Sequence, residues 1–169
     1  MPVTSDEILE GNRRYVAGFS EGALPMPPAR ALAVVACMDA RLDPLPFLGL
    51  GLGDTHVIRN AGGRVTEDAL RSLAISERLL GTDAILVVHH TDCGMLTFSN
   101  EQIRDRIKQE SGDAAGAAAD HIDFLPFSDL AQSVRDDVAA IKASPLIPEG
   151  VPVYGLIYDV TTGKLTPVA

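Results

Sequence analysis

Two short segments of this chain, Ala31–Met38 (ALAVVACM) and Ala84–His89 (AILVVH), are apolar almost from end to end. A strand with one wet face would alternate polar and apolar residues. An unbroken apolar run this short reads instead as a strand buried on both faces, the pattern of a parallel sheet. A third strand is predicted over Thr55–Arg59 (THVIR), between those two. Thr66 to Leu80 follows it with helical character: Thr66 caps it, Glu67 and Asp68 suit its positive N-terminus, and Gly81 ends it. Strand, helix and strand in that order predict an α/β fold: a mainly parallel sheet of four or five strands with helices on both faces.

Further along, Ser128–Ala143 carries Leu130, Val134, Val138 and Ile141 on one helical stripe, and Gln102–Gln109 also reads as helix. Ser111–Phe127 has no clear period and is compatible with a broken helix. Val151–Val160 is a late strand whose Pro152 suggests a sheet edge, with a turn at Thr161–Lys164 leading into Leu165 and Thr166. At the start, Thr4 and Glu7 form a capping box, Val3 can staple against Ile8, and Tyr15 and Val16 extend the apolar face. The proline arm Leu24–Pro28 then interrupts regular structure. Such a helix must lie on the domain body or on a neighbouring subunit. The expected organisation is one domain over 1–169, with an arm over 1–28 and an α/β core over 29–169.

Charge narrows the partners. Lys and Arg number 14 against 23 Asp and Glu, a formal net charge of −9, which repels phosphate backbones and anionic membranes. No apolar run is long enough to span a bilayer, and the polar, acidic opening has no signal core. A cytoplasmic location is expected. There, two cysteines are ligands or catalysts more often than a structural bridge.

Cys37 ends the first strand within Cys37-Met38-Asp39-Ala40-Arg41, and Cys93 follows the third within His89-His90-Thr91-Asp92-Cys93-Gly94. Ligands of open parallel sheets gather beyond the strands' C-terminal ends, so neighbouring first and third strands would bring Cys37, His90 and Cys93 together. Two thiolates and one imidazole suit Zn²⁺, and three protein ligands leave one tetrahedral position for catalysis. A helix beginning at Cys93 would help hold its thiolate. Asp39 could be a fourth ligand, or it could pair with Arg41 and leave that position to water. His89, adjacent to His90, is expected to be a satisfied core or surface histidine, and Asp92 a cap on the following helix. Arg59-Asn60-Ala61-Gly62-Gly63 reads equally as a glycine turn and as a functional segment, with the Gly62 amide facing a bound ligand. The Gly49–Asp54 stretch precedes a strand and lacks a phosphate-loop lysine, so it is a turn rather than a nucleotide site.

The combination of CxDxR at Cys37–Arg41, RNAG at Arg59–Gly62 and HxxCG at His90–Gly94 resembles the β-class carbonic anhydrases, in their shorter, non-plant-like branch. That resemblance implies one zinc per chain on Cys37, His90 and Cys93, and an Asp39–Arg41 dyad governing the fourth position. It also implies reversible hydration of carbon dioxide to bicarbonate through a zinc-bound hydroxide, and a homo-oligomer, dimer or tetramer, with sites at the subunit interface. Alternatives are a carbonyl sulfide or carbon disulfide hydrolase on the same scaffold, and a non-catalytic zinc or bicarbonate-sensing module. His56 and His121 are candidates by residue type for carrying the proton away.

Overall fold

A computed structural model describes residues 2–169. The apolar runs form strands β1 (Leu32–Cys37), β2 (Thr55–Asn60), β3 (Ala84–His90), β4 (Val153–Tyr158) and β5 (Leu165–Pro167), ordered β2-β1-β3-β4-β5. The first four are mutually parallel and β5 is antiparallel to β4. The register sets Val35 between Ile58 and Val87, so the ends of β1 and β3 reach the same sheet edge together. The expected α/β architecture is what the chain adopts.

The helices are α1 (Ser5–Ala17), α2 (Pro44–Phe47), α3 (Glu67–Leu79), α4 (Asn100–Ser111), α5 (Asp113–Ala119) and α6 (Leu130–Ala143). On one face of the sheet, Leu73 of α3 and Val134, Val138 and Ile141 of α6 pack on Ala33, Val35, Ile85 and Val87. On the other, Val34, Ala36, Leu86 and Val88 lie under Phe47 of α2, Leu48 and Tyr158. The Phe47 and Tyr158 rings stack with centroids 4.5 Å apart. Full burial of one such valine or leucine is worth about 1.5–3 kcal/mol, so both faces anchor the strands that carry the site.

Two expectations hold and one needs adjustment. Pro152 stands just before β4 with its carbonyl accepting from the Ile85 N–H at 2.9 Å, and β5 flanks only the far half of β4, so the start of that strand lies on the expected sheet edge. The segment 111–127 contains the broken helix the sequence allows, with Gly112 (φ 86°) separating α4 from α5. No helix begins at Cys93; Gly94–Leu96 is a single 3₁₀ turn.

The capping box of α1 is present, with the Glu7 N–H on Thr4 Oγ1 at 3.3 Å and the Thr4 N–H on Glu7 Oε2 at 2.8 Å. No residue of α1 is buried, and Val3, Ile8, Leu9, Tyr15, Val16 and Phe19 are all exposed. Among the described residues, no helix is long and apolar enough to cross a membrane.

Candidate metal centre

The strand order reverses between β1 and β3, since the chain leaves β1 for β2 on one side and returns to β3 on the other. Crevices at such points are where open α/β sheets bind ligands. Cys37 closes β1, His90 closes β3, and Cys93 sits in the turn just beyond. One ligand atom from each of the three lies within 4.8 Å of the others, and all three residues are buried. The predicted cluster is therefore assembled.

Its chemistry asks for a cation. His90 Nδ1 lies 2.8 Å from the Thr91 carbonyl, which can only accept, so Nδ1 carries the hydrogen and Nε2 presents a lone pair. Nε2 is fully buried without a hydrogen-bond partner, and the nearest carboxylate oxygen, Asp39 Oδ2, is 3.8 Å away. An orphaned buried acceptor costs about 1–3 kcal/mol unless something coordinates it. A hydrogen bond from the Cys93 thiol pulls the Cys37 thiol far down, against the opposing effect of burial. His90 and the backbone amides of Asp39 and Gly62 add to the lowering. The same bond, with burial, pushes Cys93 up. A divalent ion held by these two sulfurs would displace their thiol protons. Two sulfurs and one imidazole nitrogen are the donor set of Zn²⁺.

Asp39 is turned to Arg41. Its Oδ1 accepts from the Arg41 backbone N–H and Nε, both at 2.9 Å, and its Oδ2 accepts from Nη2 at 2.7 Å. The side-chain and backbone hydrogen bonds from Arg41 hold the Asp39 carboxyl well below the ordinary carboxylate range. Asp92 is not a helix cap. It adopts a left-handed backbone (φ 54°), its Oδ2 accepts from Arg41 Nη1 at 2.7 Å, and its carbonyl accepts from Nη2 at 2.9 Å. Arg41 is therefore gripped from both sides.

The turn after β2 supplies two more contacts. Gly62 lines the cavity beside Cys37, and its backbone amide helps to lower the Cys37 thiol. Gly63 (φ 67°) presses so closely on β1 and β3 that a Cβ there would lie 2.8 Å from the Cys37 nitrogen and 3.1 Å from the Val88 carbonyl oxygen. Arg59 ties the loop after β1 by donating to the carbonyls of Cys37 at 2.9 Å and Asp39 at 2.7 Å. Sequence reasoning left that arginine undecided between structure and function; its partners are backbone atoms, which leave no residue signature.

A cavity of about 290 Å³ opens on the cluster, walled by Met38, Ala61, Gly62, Met95 and Phe98. Larger depressions of about 410 and 620 Å³ lie elsewhere on the surface and include none of Cys37, His90 and Cys93. His89 is buried beside the site with its Nδ1 2.8 Å from Ser133 Oγ, but its Nε2 makes no hydrogen bond, so the histidine expected to be satisfied is satisfied on one nitrogen only. Of the histidines considered for proton transfer, His56 lies near the opposite end of the sheet, bonded to Ser76 Oγ at 2.7 Å, and His121 is exposed in the segment after α5.

Comparison with known proteins agrees with this geometry. A family model described as carbonic anhydrase matches residues 32–165. The chain is 45% identical over 168 residues to β-carbonic anhydrase 1 of Mycobacterium tuberculosis, covering 99% of each. It is 33% identical over 176 residues to a carbon disulfide hydrolase of Acidithiobacillus thiooxidans, covering 94% of this chain and 86% of that one. Its fold superposes on the crystal structure of carbonic anhydrase from Streptococcus mutans with a TM-score of 0.92, at 48% identity and full coverage of both chains. Strand order, clustered donors and full-length similarity converge: the chain belongs to the β-carbonic anhydrase family, the carbonate dehydratases among the lyases.

Proposed function

We propose that the protein catalyses the reversible hydration of carbon dioxide to bicarbonate and a proton, with one zinc ion per chain held by Cys37, His90 and Cys93. The observation that carries this is the buried His90 Nε2, without a hydrogen-bond partner and grouped within 4.8 Å with the sulfurs of Cys37 and Cys93. Zinc at such a centre supplies a Lewis acid that brings the pKa of water toward neutrality, less far with two charged thiolates than with three neutral imidazoles. Arg41 engages both oxygens of Asp39, which keeps that carboxylate ionised and turned from the sulfurs as a hydrogen-bond acceptor at the mouth of the site. Gly62 lines the cavity beside Cys37, where its amide can face a bound substrate. Met38, Met95 and Phe98 give an apolar wall suited to a small, linear, uncharged substrate.

Stopped-flow hydration of carbon dioxide by the metal-loaded protein tests this reading. Activity is expected to climb as pH rises above neutral, and a profile flat from mildly acidic to alkaline would count against it. The similarity to carbon disulfide hydrolases supports a second reading, hydrolysis of carbon disulfide or carbonyl sulfide in the same cavity. A parallel assay for sulfide release distinguishes the two. The Asp39–Arg41 pair argues against a purely structural or sensing site, which needs no carboxylate gate. Both cysteines are free thiols, which fits the reducing cytoplasm.

The uncovered apolar residues of α1 support a homo-oligomer in which the arm lies on a second copy. Deleting residues 2–24 is expected to lower the mass seen by light scattering. An unchanged oligomer would remove that role for the arm.

A further inference from the structure

Behind the metal centre, on the α3–α6 face of the sheet, lies a buried charged cluster. Asp137 of α6 accepts from Arg64 Nε at 2.8 Å through Oδ2 and from the Val65 N–H at 3.2 Å through Oδ1. His89 Nε2 is 3.0 Å from the same Oδ2, within ion-pair range but off the line of a good hydrogen bond. The side chains of Asp137 and Arg64 are only 5% and 14% exposed. Burying such a pair costs several kcal/mol per ion before their attraction is counted, and an apolar replacement is often as stable. A charged cluster here is therefore better explained by the geometry it enforces than by stability.

That geometry leads to the metal centre by two routes. Arg64 and Val65 end the turn that begins at Asn60. Asn60 clasps it by donating from Nδ2 to the Arg64 carbonyl at 2.7 Å and accepting the Arg64 N–H at 2.8 Å. Inside the turn, Gly62 lines the cavity beside Cys37, and Gly63 backs so closely on β1 that a Cβ there would lie 2.8 Å from the Cys37 nitrogen. The second route runs through His89. Its side chain points away from that of its neighbour His90 across the strand, and it is held by Ser133 Oγ and stacked on Phe127. Phe127 in turn donates its N–H to the carbonyl of Met95, a wall of the cavity.

We propose that Asp137 is a positioning residue for the metal centre, fixing through Arg64 and Val65 the turn whose Gly62 and Gly63 back on Cys37. Through His89 it also steadies the end of β3 that carries His90. The inference rests on the assignment of Cys37 and His90 as ligands. A looser turn leaves the end of β1, and with it the Cys37 sulfur, less firmly placed, so the ligand is more easily lost.

The test uses the full chain loaded with cobalt(II) or zinc, as wild type, Asp137→Asn and Val138→Ala. Val138 is the buried neighbour of Asp137 on α6, packed in the apolar core, and serves as a control for destabilisation alone. In Asp137→Asn, the thiolate-to-cobalt charge-transfer bands are expected to shift, and zinc is expected to pass to a chelator about 10–100-fold faster. Val138→Ala, despite its lowered melting temperature, should keep the wild-type spectrum and zinc-loss rate. An Asp137→Asn protein with wild-type bands and zinc-loss rate overturns the inference. So does a Val138→Ala protein that reproduces the changes, because the effect would then be general loosening. Should Asp137→Asn fail to fold, Arg64→Lys, which keeps the charge but not the Nε donor, is judged by the same two readouts. A wild-type cobalt protein lacking thiolate bands would sink the ligand assignment and this inference together; normal wild-type bands with unaltered variants sink the inference alone.

Discussion

Cys93→Ser is expected to reduce bound metal from about one ion per chain to nearly none, and to lower carbon dioxide hydration by at least about 100-fold. A serine hydroxyl does not ionise near neutral pH, so the substitution removes a charged ligand and leaves Cys37 and His90 as an incomplete pair. The fold has little stake in that sulfur. Cys93 precedes a single 3₁₀ turn at the sheet edge, and its packing neighbours belong to the small cluster of Cys37, Leu42 and Met95 rather than to either large core. The circular dichroism spectrum should therefore match wild type while metal analysis does not. Full metal content in the variant would show that Cys93 is no ligand.

Gly63→Ala is expected to cost about 3–5 kcal/mol, at the severe end for a single substitution. Two effects add. The positive φ of 67° strains any residue with a Cβ, by about 1–2 kcal/mol. That Cβ would then lie 2.8 Å from the Cys37 nitrogen, 3.0 Å from the Ala36 carbonyl carbon and 3.1 Å from the Val88 oxygen. All three are backbone atoms, and none can move aside without parting β1 from β3. The melting temperature should fall by roughly 10 °C, and metal affinity should fall with it, because the proposed ligands Cys37 and His90 end those two strands. Gly81→Ala is the control. It has the same kind of backbone, φ 77°, but its Cβ would meet open space, so only the strain of about 1–2 kcal/mol applies. Equal losses in the two variants would mean that the close approach at Gly63 contributes nothing.

Much of the frame was readable in the residues. The apolar runs at 31–38 and 84–89 announced doubly buried strands, which form over 32–37 and 84–90, and Thr4 and Thr66 cap helices where their spacing said they would. The cysteine–histidine cluster was legible because all three residues sit at or just past strand ends. Asp92 was misread because an aspartate at the start of a turn looks the same whether it caps a helix or faces an arginine. Only the shortness of the turn at Gly94–Leu96 and the pairing with Arg41, contributed from the far side of the crevice, decide between them. Gly112, which divides α4 from α5, was hidden in a stretch too rich in alanine to show a period. The Arg64–Asp137 pair had no local signal at all, since the two residues meet only once α6 has docked on the sheet.

The crossover between β1 and β3 has a consequence for the order in which this molecule forms. Cys37 and Cys93 are about fifty residues apart in the chain, and bringing such distant points together costs an unfolded polymer some 3–4 kcal/mol of entropy. A closely spaced pair of cysteines can seize an ion while still in a random coil. Here β2, α3 and β3 must first be laid down beside β1 before the sulfurs and the imidazole share a neighbourhood. On the proposed ligand set, metal would therefore bind late in maturation, locking a sheet already laid down rather than nucleating one.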